Sequence, residues 1–217
     1  MSIRTKYEEE LIKIKNQLLI MCGMVESAIE KSIKALITRD FDLSKLIIEN
    51  DKNIDNLERI IEQDCLKILL MQHPVATDFR DISAILKMIT DLERIGDHAQ
   101  DISEISLQIA SDEPIKKFDN LQLMAISAIA MVKDSVHSYI NRDLDTATSL
   151  DKRDDKVDLL FEKVKDEIII MIKNDCEKIN QVLLLLLIAK YLERVGDHAV
   201  NIGEWVEYAI KGDHSNS

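Results

Sequence analysis

The sequence predicts an all-α protein built as two tandem, pseudo-symmetric three-helix bundles. Three observations carry that expectation. The chain of 217 residues holds only 5 Gly and 2 Pro, with 4% aromatics, in a background rich in Leu, Ile, Lys and Glu. Few breakers and many helix formers mean helix. Apolar residues recur by threes and fours along most of the chain. The phrase "LERIGDHAQDI" at 92–102 returns as "LERVGDHAVNI" at 192–202, a self-similarity at fixed spacing that marks a structural repeat.

The elements follow in order. The N-terminus, "MSIRTKYEEELIK", has no apolar leader, so no signal peptide is expected. A first helix is expected near 6–38. It stops at "ITRDFDL" (37–43), where Asp40 or Asp42 can cap a second helix near 42–72. Pro74 in "MQHPVATD" marks the next turn, because proline inside a helix costs about 3 kcal/mol. A third helix near 77–111 carries Ile82, Ile85, Ile89, Leu92, Ala99 and Ile102 on one face. Pro114 in "SDEPIKKFDN" divides the chain into expected domains 1–112 and 113–217.

The second half repeats the plan, with helices near 115–140, 144–173 and 178–211. "INRDLDT" (140–146) echoes the capping turn, with Asp143 or Asp145 as its cap. Val182, Leu185, Ala189, Leu192, Ala199 and Ile202 repeat the third helix's stripe. The offset between halves is about 103 at the capping turns and 100 beyond the next turn. About three residues are therefore missing at the second turn, where deletions are tolerated. Helices of about 30 residues are roughly 45 Å long, which predicts an elongated molecule.

A net charge of −12 and a pI of 4.9 mean repulsion from nucleic-acid phosphates and anionic membrane surfaces, so neither is expected as a partner. The longest apolar run, 182–189, is well short of the ~20 residues of a membrane span. No direct membrane insertion is expected. Cys22, Cys65 and Cys176 form neither a disulfide framework nor a thiolate zinc motif. They read as buried reduced thiols of a cytosolic protein.

The repeated phrase carries a pattern that a plain helix would avoid. Glu93 and Asp97 are four apart, as are Glu193 and Asp197. That spacing stacks two carboxylates on one helix face, about 5–6 Å apart at Cβ, where like charges repel. Gly96 and Gly196 each cost roughly 1 kcal/mol more than Ala. A bound cation is one thing that would offset these costs. The preceding helices supply a second pair each: Asp51 with Asp55 in "DKNID", and Asp154 with Asp158 in "DDKVD". Folding the first hairpin about residue 74 puts Asp51 level with Asp97 and Asp55 level with Glu93. Folding the second between residues 175 and 176 puts Asp154 level with Asp197 and Asp158 level with Glu193.

Four carboxylates at one height are oxygen donors suited to a hard cation. Asp101 extends the first stripe by a turn, and Asn201 stands in its place in the second. On a helical wheel these pairs flank the apolar stripe. The expected site is a groove between helices at the surface, not a buried cage. The plainer reading is a solvated acidic face. His98 and His198 follow the aspartates by one residue, about 100° around the helix, and so face elsewhere. Arg94 and Arg194 are expected to pair with nearby acids. The motif histidine stands five residues after the glutamate, so a ferritin-like Glu-x-x-His centre fits poorly. No nucleophile–base arrangement and no glycine cluster points to an enzyme.

On these residues the chain resembles the PhoU family, the accessory and regulatory proteins of high-affinity phosphate transport. The likeness spans nearly the whole chain: two halves, "TRD" and "NRD" turns, paired acids, "HPVATDFRDI" and tandem L-E-R-[IV]-G-D. "HPVATDFR" is similar to the family's P-x-A-x-D-L-R turn, with Phe79 where Leu is usual, and the second half lacks that turn. The resemblance implies two three-helix bundles in a cytoplasmic, often homodimeric, non-enzymatic protein. It implies negative control of the phosphate-starvation response through the phosphate ABC transporter ATPase and a membrane sensor histidine kinase. It also implies metal clusters on the paired acids, with Fe, Zn, Mn, Mg or Ni as the ion. Two rival readings are a metal-dependent enzyme or metal store on a helical bundle, and a metal-free helical adaptor.

Overall fold

The computed structural model describes residues 3–71, 75–109, 119–174 and 178–212. Its helices are α1 (Ile3–Thr38), α2 (Phe41–Met71), α3 (Ala76–Gln108), α4 (Asp119–Asn141), α5 (Leu144–Asn174) and α6 (Ile179–Lys211). The expected helices are all present, with ends displaced by a few residues. The first begins at Ile3 instead of near 6, and α4 is described from Asp119 instead of 115. Pro74, Pro114, Cys176, the 112/113 boundary and the second turn's centre at 175–176 fall outside the described residues.

The two matched turns share one construction. α1 and α4 each run into an arginine in the left-handed region, Arg39 at φ 55° and Arg142 at φ 53°. The next amide reaches back five residues: Asp40 N to Ala35 O at 3.0 Å, and Asp143 N to Ser138 O at 2.9 Å. This is a Schellman closure with arginine where glycine is usual. The aspartate then caps the following helix. Leu43 N donates to Asp40 Oδ1 at 3.0 Å, and Thr146 N donates to Asp143 Oδ1 at 3.1 Å. Asp40 and Asp143 are therefore the caps. Asp42 and Asp145 lie in the first helical turn, where negative charge suits the dipole. Arg142 also ties elements together. Its guanidinium donates to both oxygens of buried Asp81 at 3.2 Å and to the Ala209 carbonyl at 3.3 Å. The α4–α5 turn is thereby fastened to α3 and α6.

Each half is a three-helix bundle, α1–α3 and α4–α6. The halves meet where α3 packs on α6 and α1 on α4, which leaves α2 and α5 on the outer flanks. The predicted apolar stripe of α3 is buried, and so is its copy on α6. One continuous apolar core runs through both halves. Cys22 and Cys65 sit in it as free thiols, and burial pushes the Cys65 thiol up to about 12. Among the described residues, no helix is long and apolar enough to cross a membrane.

Two glycines show opposite uses of a missing side chain. A Cβ on Gly203 would meet Leu150 Cδ1 at 2.8 Å and the Ala147 carbonyl oxygen at 2.9 Å, so α6 and α5 touch there. A Cβ on Gly23 would meet nothing within 4 Å. Gly→Ala in a helix gains roughly 1 kcal/mol of propensity, whereas overpacking a close contact costs about 1–3 kcal/mol. Gly23→Ala should therefore stabilise by up to about 1 kcal/mol. Gly203→Ala should destabilise by about 1–2 kcal/mol net. Urea denaturation of both variants checks the pair, and equal midpoints would contradict the packing account.

Candidate metal centre

The acidic sites form on the two outer hairpins, α2–α3 and α5–α6. Glycine lets each hairpin close. A Cβ at position 96 would meet Ile54 Cδ1 at 3.0 Å and Asp51 Oδ1 at 3.3 Å. A Cβ at 196 would overlap Asp154 Oδ1. The glycine cost therefore has a packing reason that needs no cation: it seats an aspartate of one helix against the backbone of the next. Asp154 Oδ1 is shut off from water there, with no hydrogen-bond partner.

Across each hairpin the level partners are electrostatic neighbours: Asp51 with Asp97, Asp55 with Glu93, Asp154 with Asp197 and Asp158 with Glu193. In the first half, donor oxygens of Asp51, Asp55 and Asp97 all lie within 4.8 Å of one another. The three residues are half-buried, so they line a ledge between helices. Bare like charges at that spacing repel by on the order of 3 kcal/mol per pair before screening. Glu93 and Arg94 stand at one edge. Arg94 Nη1 is 3.0 Å from Asp97 Oδ2, and its Nε is 3.5 Å from Glu93 Oε2. Asp101 is near enough to Asp51 to repel it, yet it also bonds the Tyr191 hydroxyl.

The second ledge differs. Lys190 forms an ion pair with Glu193. Its ammonium also offsets the repulsion at Asp158 and Asp197. The matching residue in the first half is Thr90, whose hydroxyl merely bonds the Leu86 carbonyl at 3.2 Å. Asp158 and Asp197 are exposed, and the ledge gathers no compact group of three donors among the described residues. Comparing positions 90 and 190 in the sequence is enough to reveal this asymmetry, which the acidic pairs alone do not show.

The histidines face inward, onto the seam between the halves. His98 is buried and stacks on Tyr191 with ring centroids 5.3 Å apart. His198 Nδ1 lies 2.8 Å from Asp91 Oδ1, and the two imidazoles are 5.6 Å apart. Asn201 Nδ2 donates to Asp91 at 3.3 Å, which turns it away from Asp197's face. The seam is reciprocal. Position 91 receives residues 198 and 201, while position 191 receives residues 98 and 101. Asp91 and Tyr191 were not legible as partners, because their roles depend on what lies across α3 and α6.

The comparisons with known proteins match this architecture. The PhoU domain model matches residues 18–106 and 121–206. The chain belongs to the PhoU family. It is 35% identical over 210 residues to a phosphate-specific transport system accessory protein PhoU homolog of Clostridium acetobutylicum, covering 96% of each chain. It is 33% identical to the phosphate-specific transport system accessory protein PhoU of Escherichia coli, over 97% of this chain and 87% of that one. The crystal structure of PhoU from Pseudomonas aeruginosa superposes with a TM-score of 0.90 at 32% identity, covering 95% of this chain and 100% of that chain. The family consists of non-enzymatic accessory proteins with this all-helical fold.

The ledges also set a pH dependence. Burial, then Asp55, Asp97 and Asp101, push the Asp51 carboxyl up to about 6. Burial, then Asp197, Asp158 and Glu193, push Asp154 up to about 7. A carboxyl raised on folding adds stability below its unfolded value near 3.8, and that stability is lost as pH rises through 6 and 7. His98, which burial holds down at about 4, pulls the other way as pH rises to its unfolded value of 6.5, but the two carboxyls together outweigh it, so the metal-free protein should melt at a lower temperature at pH 8 than at pH 5. Asp154→Asn should raise the melting temperature at pH 8 and shrink the fall. Thermal circular dichroism in chelator reads both, and a melting temperature that climbs from pH 5 to pH 8 would contradict the assignment.

Proposed function

We propose that this chain is a cytoplasmic negative regulator of phosphate uptake and of the phosphate-starvation response. It works as a homodimer with the phosphate transporter's ATPase and a membrane sensor histidine kinase, and it holds a metal ion on the first ledge. The observation that carries the regulatory reading is full-length likeness to proteins named as accessory to phosphate transport. The support for metal is the convergence of Asp51, Asp55 and Asp97.

These residues fit a hard cation. All three donors are carboxylate oxygens, and the nearest imidazole, His98, is turned into the seam. Such a set favours Mg, Mn or Fe over Zn or Ni, which lean toward nitrogen and sulfur. Bound metal would neutralise the ledge and make the α2–α3 hairpin rigid. Glu93 and Asp101 adjoin the set, while Asn201 is held by Asp91. On the second ledge Asp154, Asp158, Glu193 and Asp197 bind more weakly, because the Lys190 ammonium already acts as their counter-ion.

Two experiments test this. Titration calorimetry with Mn²⁺ should show one tight event, weakened at least about tenfold by Asp97→Asn (1.4 kcal/mol per decade). Lys190→Thr should tighten a second event. No heat under any condition would end the metal reading. For regulation, disruption of the gene in its host should switch on a starvation-response reporter in phosphate-replete medium. A reporter that stays silent would reject the regulatory role.

A further inference from the structure

The phrase repeated at 92–102 and 192–202 carries one histidine in each copy, and neither acidic ledge uses it. The fold brings the two copies together. His98 on α3 and His198 on α6 meet across the seam with ring centroids 5.6 Å apart. Each ring has a carboxylate beside its Nδ1. His198 Nδ1 lies 2.8 Å from Asp91 Oδ1, and His98 Nδ1 lies 3.6 Å from Asp101 Oδ2. A carboxylate at Nδ1 holds the hydrogen on that atom and leaves a lone pair on Nε2. The Nε2 of His198 has no partner among the described residues.

His98 is the anomaly of the pair. It is only 8% exposed, and both of its ring nitrogens are shut off from water without a hydrogen-bond partner. Leaving a buried polar group unpaired is costly, so native structures rarely do it. Burial also disfavours the charged imidazolium, and the neutral ring is the form that ligates metal. The spacing fits one ion between the rings. With metal–nitrogen bonds of about 2.0–2.1 Å and the ring centre about 1.1 Å further on, two imidazoles at a tetrahedral angle have centroids roughly 5.2 Å apart. The observed 5.6 Å corresponds to an angle of roughly 120°. The local charges admit a cation. Of the two guanidiniums nearby, Arg94 is held by Glu93 and Asp97, and Arg194 is offset by Asp101. Asp91 adds a further negative charge behind His198.

We propose that His98 and His198 form a two-imidazole site for Zn²⁺ that clamps the two halves together across the α3–α6 seam. Nε2 of each ring is the ligand. Asp91 and Asp101 stand behind the Nδ1 atoms, where such carboxylates fix the ring orientation and raise ligand basicity. Water completes the coordination from the side on which His198 is 22% exposed. Nitrogen donors select Zn over Mg or Mn, so this site and the ledge of Asp51, Asp55 and Asp97 take different ions. They also do different work. The ledge joins α2 to α3 within one half, whereas the seam joins α3 to α6 between halves. The proposal depends neither on the ledge nor on the regulatory reading.

The test titrates the full chain with Zn²⁺ in a calorimeter, with excess Mn²⁺ present to occupy the ledge. Wild type should bind Zn²⁺. His198→Gln, at the more accessible of the two rings, should weaken that binding at least tenfold, and circular dichroism in chelator checks that it folds. Asp51→Asn, which disables the ledge, should bind Zn²⁺ as wild type. Zn²⁺ should also raise the melting temperature of wild type and leave that of His198→Gln unmoved. A second measurement needs no variant: in imidazole ¹⁵N spectra of wild type, Zn²⁺ should shift the Nε2 signals of His98 and His198 and leave His137 alone. Absence of Zn²⁺ binding by wild type would overturn the proposal, as would Nε2 signals that the ion does not move. Zn²⁺ binding lost in Asp51→Asn but intact in His198→Gln would put the ion on the ledge and overturn it too.

Discussion

Close approach of α2 to α3 at Gly96, and of α5 to α6 at Gly196, is the constraint on which the acidic sites depend. Two helices carrying carboxylates on facing edges would ordinarily splay apart. Here a buried apolar stripe pulls the helices together, and a missing Cβ lets an aspartate lie against the neighbouring backbone. Desolvation follows from that geometry, and the raised carboxyl affinities of Asp51 and Asp154 follow from desolvation. The core thus holds charges where they are least comfortable. Neutralisation has three routes: a proton, a metal ion, or a side chain such as Lys190.

Most of the fold was legible because helical period, capping chemistry and the internal repeat all point the same way. The Arg–Asp turns at 39–40 and 142–143 are a clear case. Asp as a cap is readable from type and position, but choosing Asp40 over Asp42 required the Schellman closure, which only the backbone shows. The level pairing of carboxylates was readable by counting from the hairpin turn, because helix rise is constant. The glycines were read as a cost seeking a ligand, when their first role is to admit the facing helix. A propensity scale sees one helix at a time and cannot register that.

What stayed hidden lies across helix pairs. A wheel shows that His98 and His198 point away from the aspartates. It does not show that they meet each other and the 91/191 positions between the halves. Lys190 was one among many surface lysines until its ammonium was seen at Glu193. Gly23 had no signal of its own. Its open surroundings show only in the fold, where nothing stands within 4 Å of an added Cβ.

The reciprocal seam between α3 and α6 has the form of an isologous interface, in which each side offers the same positions to the other. In a homodimer of half-length chains, any substitution would appear on both sides at once. Covalent linkage of the halves removes that restriction and also makes their meeting independent of concentration. Asp91 can then stand in one half where Tyr191 stands in the other, and Thr90 where Lys190 stands. A single covalent chain leaves its two halves free to differ, as the ledges at Thr90 and Lys190 do.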